Sequence, residues 1–252
     1  MSIYLWWWSW EKLSRLYKGS DLLVGWECDR IPWEDVLFRY KLLSDTNDSS
    51  WKNNHWLLTG SWVYENNWIT LTKWNYITCY NPWKLNTCTL SIYMKVNNFV
   101  AWNTSSSPRW YYYYFWWRYE WYDNWCWPCI QINFTWSNLT TFSSNWAFRW
   151  ISKPPSAIEY PITEQQIKSS RTNVILTYNN WTTKLYINWS KINQSSWSWW
   201  NYWWNYPIYI NNFYNWRWND ASFADAILSN KEWSDDEVAY YISKTKWFYW
   251  IS

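Results

Sequence analysis

The feature that most constrains this chain is a shortage of residues able to turn it: 252 residues hold 3 Gly against 34 Trp. Ordinary usage of about 7% would supply roughly 18 glycines. Tight chain reversals call for positive φ, which glycine takes at no steric cost and a bulky side chain does not. One residue type is missing and another is in surplus in the same chain. That pairing points to substitution of one for the other. The composition also excludes broad classes. Collagen-like chains need glycine, disordered chains are poor in aromatics, and no run of about 20 apolar residues offers a spanning helix.

The positions of the tryptophans support the substitution. Asn-Trp occurs at 67–68, 124–125, 145–146, 180–181, 188–189 and 215–216, several of them beside short alternating runs such as Lys184-Leu-Tyr-Ile187. Asn-Gly is the strongest short hairpin signal, because a type I′ turn needs positive φ at both central residues. Ile3-Tyr4-Leu5-Trp6 and Leu16-Tyr17-Lys18-Gly19 read as two copies of one unit, with Trp6 opposite Gly19. Trp6–Trp10 and Ser196–Trp200 read as Gly/Ser loops; as written they are aromatic patches prone to association. UGA is read as glycine in some bacterial lineages and as tryptophan under another code. Translation with the wrong table gives this signature, and the abundance of Asn, Lys, Ile and Tyr fits an AT-rich genome. Trp181 and Trp189 are then expected at hairpin tips, solvent-facing, with φ near or above zero. Some tryptophans, Trp26 among them, remain candidates for genuine ones.

A net charge of +3 without a basic block argues against nucleic acid as a partner. No cationic leader precedes an apolar core, which leaves export by another route or assembly into a particle open. Cys28, Cys79, Cys88, Cys126 and Cys129 are an odd number with no framework spacing. Residues 1–33 read as a small β-rich appendage or linker, and 34–252 as one β domain. The stretch Tyr17-Lys-Gly-Ser20 with Leu23-Val24 resembles one found near the ends of phage tail and other virion proteins.

Short runs rich in β-branched and aromatic residues recur from Val36 onward: Val36–Leu42, Thr89–Lys95, Tyr111–Phe115, Ile130–Thr135, Asn173–Tyr178, Lys184–Ile187 and Ile208–Ile210. Such spacing predicts an all-β fold, a two-sheet antiparallel jelly-roll sandwich. Leu90, Ile92 and Met94 alternate with Ser91, Tyr93 and Lys95, which predicts one buried face and one wet face. Ser234-Asp-Asp-Glu237 is a capping box opening one short C-terminal helix through Val238–Ile242, expected to pack at the edge or end of the sheets.

Three stretches taken in order resemble the laminin-G-like, concanavalin A-like lectin jelly-roll family. Asp45–Trp56, with Trp51 and Trp56 read as glycine, is similar to an early D-x-SG-x-x-NHG loop. Asn173–Ser190 is similar to a VTYDGGTVKLYVNG hairpin, and Ala226–Val238 to a closing IYNRALSDEEI, although leucine usually precedes the serine where Trp233 stands. Residues 100–170 match no motif of the family. The resemblance implies glycans or a host-surface polysaccharide as partner, a virion or extracellular setting, no membrane insertion, and a place for an oligomer within a larger particle. Some relatives bind calcium, for which Asp45, Asp48, Asp220 and Asp225 are candidates beside the alternative of turn-capping aspartates. No other cofactor is implied.

Glycosidases of this fold are similar in carrying Glu-x-Asp-x-x-Glu on one strand, the pairing that acid and nucleophile need; it is absent, so no catalytic residue is assigned. Cys126-Trp-Pro-Cys129 becomes Cys-Gly-Pro-Cys under the glycine reading. Thioredoxin-like chemistry needs a helix after that motif, whereas Ile130–Phe134 reads as strand. His55 is the only histidine, which excludes a histidine-cluster metal site and favours a loop residue bonded to its own turn. The segment Arg109–Asn124 is the best binding candidate, through Tyr112, Tyr114, Arg118, Tyr119 and Tyr122. Tyrosine offers a flat apolar face to a sugar ring and a hydroxyl to its edge; the alternative is that these rings fill the sheet. Three functions stand beside one another: a non-catalytic carbohydrate-binding or adhesion module, a purely structural virion component, and a glycoside hydrolase.

Overall fold

The computed structural model describes residues 15–18, 21–25, 33–42, 47–50, 52–65, 67–72, 75–79, 85, 87–100, 109–117, 129–136, 144–151, 157–162, 164–169, 171–179, 182–188, 190–195, 208–211 and 218–249. In chain order the strands are β1 (Arg15–Lys18), β2 (Asp21–Gly25), β3 (Val36–Tyr40), β4 (Leu57–Thr59), β5 (Trp62–Glu65) and β6 (Trp68–Leu71). There follow β7 (Tyr76–Cys79), β8 (Cys88–Val100), β9 (Arg109–Trp117), β10 (Cys129–Trp136), β11 (Ser144–Ile151) and β12 (Ala157–Ile162). Helix α1 (Glu164–Ser169) precedes β13 (Thr172–Tyr178), β14 (Thr183–Ile187), β15 (Ser190–Ser195), β16 (Ile208–Ile210), β17 (Trp218–Ser229) and helix α2 (Asp235–Tyr249). Strands β1 and β2 pair with each other in a two-stranded sheet.

Two large antiparallel sheets make the body. One has seven strands in the order β12-β11-β10-β9-β16-β7-β4, the other eight in the order β15-β14-β13-β8-β17-β6-β5, with β3 also on β17. All seven strands expected from sequence are present. Phe38, Ile77, Leu90, Ile92, Leu176 and Ile210 belong to the core cluster that joins the two sheets, each buried side chain contributing about 1.5–3 kcal/mol.

The wet face expected on β8 is instead dry. Ser91 and Tyr93 are as buried as Leu90 and Ile92, because α2 lies over that side of the eight-stranded sheet. A second core forms there from Val36, Tyr93, Ile175, Ile227, Val238 and Tyr241, among others. The helix therefore packs on a sheet face and not at an edge or end; β13, buried at all seven positions, shows why. A strand apolar on both sides needs two covering layers.

Helix α2 starts as its sequence dictates. The Glu237 amide donates to Ser234 Oγ at 3.2 Å, and the Ser234 amide donates to Glu237 Oε2 at 2.7 Å, the reciprocal capping box. Three tyrosine hydroxyls pin the helix to the sheet: Tyr93 with Thr245 at 2.7 Å, Tyr186 with Asp235 at 2.7 Å and Tyr241 with Asp225 at 2.8 Å.

Asp225 is the hub. It sits at φ 42° in a bulge of β17, between Ala224 opposite Tyr93 and Ile227 opposite Ser91. Its carboxylate is fully buried and takes two bonds from Arg39, at 2.7 and 2.9 Å, besides that of Tyr241. Burial opposes the Arg39 charge, yet Asp225 outweighs it and raises the guanidinium pKa; burial, then Asp225, raises the Tyr241 hydroxyl. β3, β17 and α2 are thereby tied at one point.

The reversals test the Asn-Trp reading. Ile187 pairs with Ser190 and Asn188 has φ 47°, a two-residue hairpin as expected. The Asn179 and Thr182 main chains bond to each other at 2.9 and 3.3 Å, leaving two positions to turn the chain. Trp181 and Trp189 themselves lie outside the described residues. Elsewhere the reading is corrected. Glu65 pairs with Trp68, so the turn falls one residue earlier, with Asn67 at φ 66°, and Trp68 opens β6 as a buried residue. Asn145 and Trp146 lie within β11, opposite Thr135 and Phe134. Among the described residues asparagine and aspartate supply most of the positive φ, and no tryptophan does.

Replacing Arg39 by Met should strand the Asp225 carboxylate in the core and cost about 3–5 kcal/mol in urea denaturation. Arg39→Met combined with Asp225→Asn should cost less than Arg39→Met alone. A single variant as stable as the parent would contradict the hub.

Candidate functional site

The two sheets are not equivalent towards solvent. The eight-stranded sheet carries α2 on its outer side, whereas among the described residues no helix packs on the outer side of the seven-stranded sheet. Alternation along β7 and β16 decides what that side presents. Ile77, Cys79, Ile208 and Ile210 point into the core, so Tyr76, Thr78 and Tyr209 point outward and are half-buried. On β4, Leu58 packs on the core while Leu57 and Thr59 are exposed.

Register assembles these into one surface. Tyr209 stands opposite Thr78, and Thr78 opposite Leu57; Tyr76 stands opposite Thr59. The Tyr76 and Tyr209 rings meet edge to face, with centroids 5.7 Å apart and planes at 70°, the arrangement that aromatic quadrupoles favour. All five side chains are uncharged. The pair escapes a search for tyrosine density; its signal is the period-2 pattern of Tyr76-Ile-Thr-Cys79 and Ile208-Tyr-Ile210.

The tyrosine-rich segment adjoins this surface. β9 lies between β16 and β10, with Trp116 opposite Tyr209. Tyr112 is opposite Ile132, and Tyr113 and Tyr111 are opposite Gln131 and Asn133. The register skips Tyr114, so strict alternation breaks between Tyr112 and Phe115. Tyr112 and Tyr114 are thus placed on the strand beside Tyr209 by backbone alone. Arg118, Tyr119 and Tyr122 lie outside the described residues.

The loop before β4 is organised around Asp48. Its carboxylate accepts from the Arg39 amide at 2.9 Å, the Ser50 amide at 2.8 Å, Ser50 Oγ at 2.7 Å and the Asn54 amide at 2.9 Å. A carboxylate so engaged caps a turn, the alternative to a calcium ligand. His55 Nδ1 accepts from the Asp48 amide at 3.1 Å, as expected of a residue bonded to its own turn. Asp225 is occupied by Arg39 and Tyr241, Asp220 is half-buried, and Asp45 lies outside the described residues. Among the described residues no group of three or more His, Cys, Asp or Glu is placed to hold a metal ion.

Cys129 opens strand β10, so a helix does not follow the Cys126–Cys129 motif; Cys126 itself lies outside the described residues. Cys79 and Cys88 are buried free thiols, and burial pushes both up, Cys88 to about 12. One glycine is required where it stands. Gly60 has φ +96°, and a β-carbon there would meet Asn75 Oδ1 at 1.7 Å, the atom that accepts the Ser61 amide.

The layers define a two-sheet antiparallel β-sandwich. No family model matches the chain, and no curated protein matches it. Solved structures do. The binding domain of botulinum neurotoxin serotype D superposes with a TM-score of 0.58 at 12% identity, covering 84% of this chain and 51% of that one. The binding domain of botulinum neurotoxin DC in complex with rat synaptotagmin II gives 0.57 at 14%, covering 84% and 52%. The same domain in complex with SialylT gives 0.57 at 13%, covering 84% and 51%. The likeness is one of fold, and the chain spans about half the length of these binding domains.

Gly60→Ala should destabilise by more than about 1 kcal/mol in denaturant titration, since both φ and space oppose a side chain. Thiolate is the reactive form, so Cys79 and Cys88 should resist alkylation at pH 8 and label on unfolding. Rapid labelling of the folded chain would contradict their burial.

Proposed function

We propose that this chain is a non-catalytic carbohydrate-binding or adhesion module, laminin-G-like in kind, from a phage particle or a cell surface. The observation that carries the reading is the uncharged surface of Leu57, Thr59, Tyr76, Thr78 and Tyr209 on the outer side of the seven-stranded sheet, where the Tyr76–Tyr209 ring pair adjoins the tyrosine-rich strand β9. A sugar ring buries its apolar face on an aromatic ring and bonds at its rim. The fold shared with receptor-binding domains supports the class; fold alone does not select the ligand. Among those neighbours, cell entry of botulinum neurotoxin type C depends on interaction with two ganglioside molecules, and the ligand binding domain of serotype D is solved in complex with N-acetylneuraminic acid. Glycans or host-surface polysaccharide are the proposed partners, contacted by Tyr76 and Tyr209 together with Tyr112, Tyr114, Arg118, Tyr119 and Tyr122.

The reading extends to architecture and composition. Residues 1–33 serve as an appendage that joins the lectin-like domain, 34–252, to a larger and oligomeric particle. Most of the 34 tryptophans stand for glycine through a reassigned UGA codon. The two-residue reversals at 188–189 and between Asn179 and Thr182 support this, since each has Asn-Trp where Asn-Gly is the favoured pair.

A glycan array probed with the full chain should give saturable binding. Tyr209→Ala and Tyr76→Ala should each weaken it about tenfold, as truncating an aromatic anchor does, while Lys231→Ala on the other side of the molecule should not. Incorporation into particles with no glycan bound would favour the purely structural role.

A further inference from the structure

Each large sheet ends in edge strands, and an edge offers main-chain N–H and C=O groups to any chain that can pair with them. Most of these edges are guarded. β12 carries Pro161 and lies against β15, which carries Lys191 and joins β14 through a register shift. The outer edge of β3 is bonded to the Asp48 loop: the Arg39 amide donates to Asp48 at 2.9 Å, and the Arg39 carbonyl accepts the Ser49 amide at 2.8 Å. The Leu37 carbonyl accepts Asn54 Nδ2 at 2.7 Å. β4 is three residues long.

β5 has none of these devices. Trp62-Val-Tyr-Glu65 ends the eight-stranded sheet, holds no proline or lysine, and pairs with β6 in unbroken register. Val63 is 58% exposed and Trp62 45%. Hairpin geometry says which of its groups face outward. Glu65 and Trp68 close a two-residue turn, and such a closing pair is hydrogen-bonded. Alternation makes Val63 with Thr70 the next bonded pair and turns the N–H and C=O of Trp62 and Tyr64 away from β6. Side chains follow the same period. Tyr64 packs on the core, so Val63 and Glu65 stand on the outer face, the side that carries α2.

Two such edges fit each other about a twofold axis in one register. With Val63 opposite Val63 of a second copy, Trp62 stands opposite Tyr64 of that copy and Glu65 opposite its Ser61. The outward-turned groups then exchange four hydrogen bonds, β-branched side chains meet at the axis, and no charge faces a like charge. Sliding by two residues sets Val63 against the Glu65 carboxylate instead. A slip of one residue puts outer side chains opposite inner ones. Position 62 enters through its main chain, so the pairing is the same with tryptophan or glycine there.

We propose that a second copy of this chain adds to β5, joining two eight-stranded sheets into one across an isologous dimer. The axis stands perpendicular to the sheet, so both copies keep α2 on one side and the seven-stranded sheet on the other. Two ligand surfaces then face the same way, a geometry that raises avidity; this consequence alone rests on the glycan reading above.

Four residues a side make a small and weak interface, so sedimentation velocity of the full chain up to about 200 μM should show a monomer–dimer equilibrium. Val63→Lys, at an exposed position, should keep the circular dichroism of the parent and weaken association at least about tenfold, because two ammonium groups meet at the axis. Val63→Glu should do the same, and the two variants mixed in equal amounts should regain the dimer. A parent that stays monomeric throughout the series, association unchanged by Val63→Lys, or a mixture that stays monomeric would overturn the proposal. Glycan binding separates the two claims. A dimer that binds no glycan keeps this interface and loses the glycan reading, and a monomer that binds glycan does the reverse.

Discussion

The architecture hangs on one buried carboxylate. Asp225 takes a left-handed backbone conformation in mid-strand, a geometry that costs an ordinary side chain energy and persists only where the surroundings enforce it. What enforces it is the two-pronged bond to Arg39 and the Tyr241 hydroxyl. The same bulge shifts the register of β17 against β8. A buried ion pair of this kind is weak evidence of net stability, since its desolvation offsets its attraction. Its service is specificity: it fixes how β3, β17 and α2 meet.

That junction decides which sheet face α2 covers. With α2 fixed over the eight-stranded sheet, Tyr93, Ile175 and Ile227 are sealed in a second core. The opposite sheet keeps one face on the sandwich core and turns Tyr76, Thr78 and Tyr209 outward. A helix on one sheet and an aromatic surface on the other are two consequences of the same layering. The Asp48-centred loop leads the chain into β4 at the margin of that surface.

Much of this was legible in the sequence. Strands with β-branched and aromatic runs announced themselves, and the capping box at Ser234 located α2. The central strand β17 did not, because Trp-Asn-Asp-Ala-Ser-Phe-Ala-Asp-Ala carries polar residues inside a doubly covered strand and is broken by the bulge. Tyr93 looked like the wet face of β8 since nothing local records a helix docking about 150 residues later, as its bond to Thr245 shows. The site was half legible: tyrosine density marked β9, but the pairing of β16 with both β7 and β9, which brings Tyr209 to Tyr76 and beside Trp116, is tertiary information. The asparagines beside the tryptophans marked reversals correctly at 188 and displaced one by a residue at 67, where the pattern Asn66-Asn67-Trp68 offers two registers.

The measurement that bears most directly on the proposed binding surface is amide hydrogen exchange of the full chain with and without a saturating glycan. The account predicts added protection in β7, β9 and β16, with α2 and β13 unchanged. Protection concentrated in α2, β13 or β14 instead would place binding on the covered side of the molecule and contradict it.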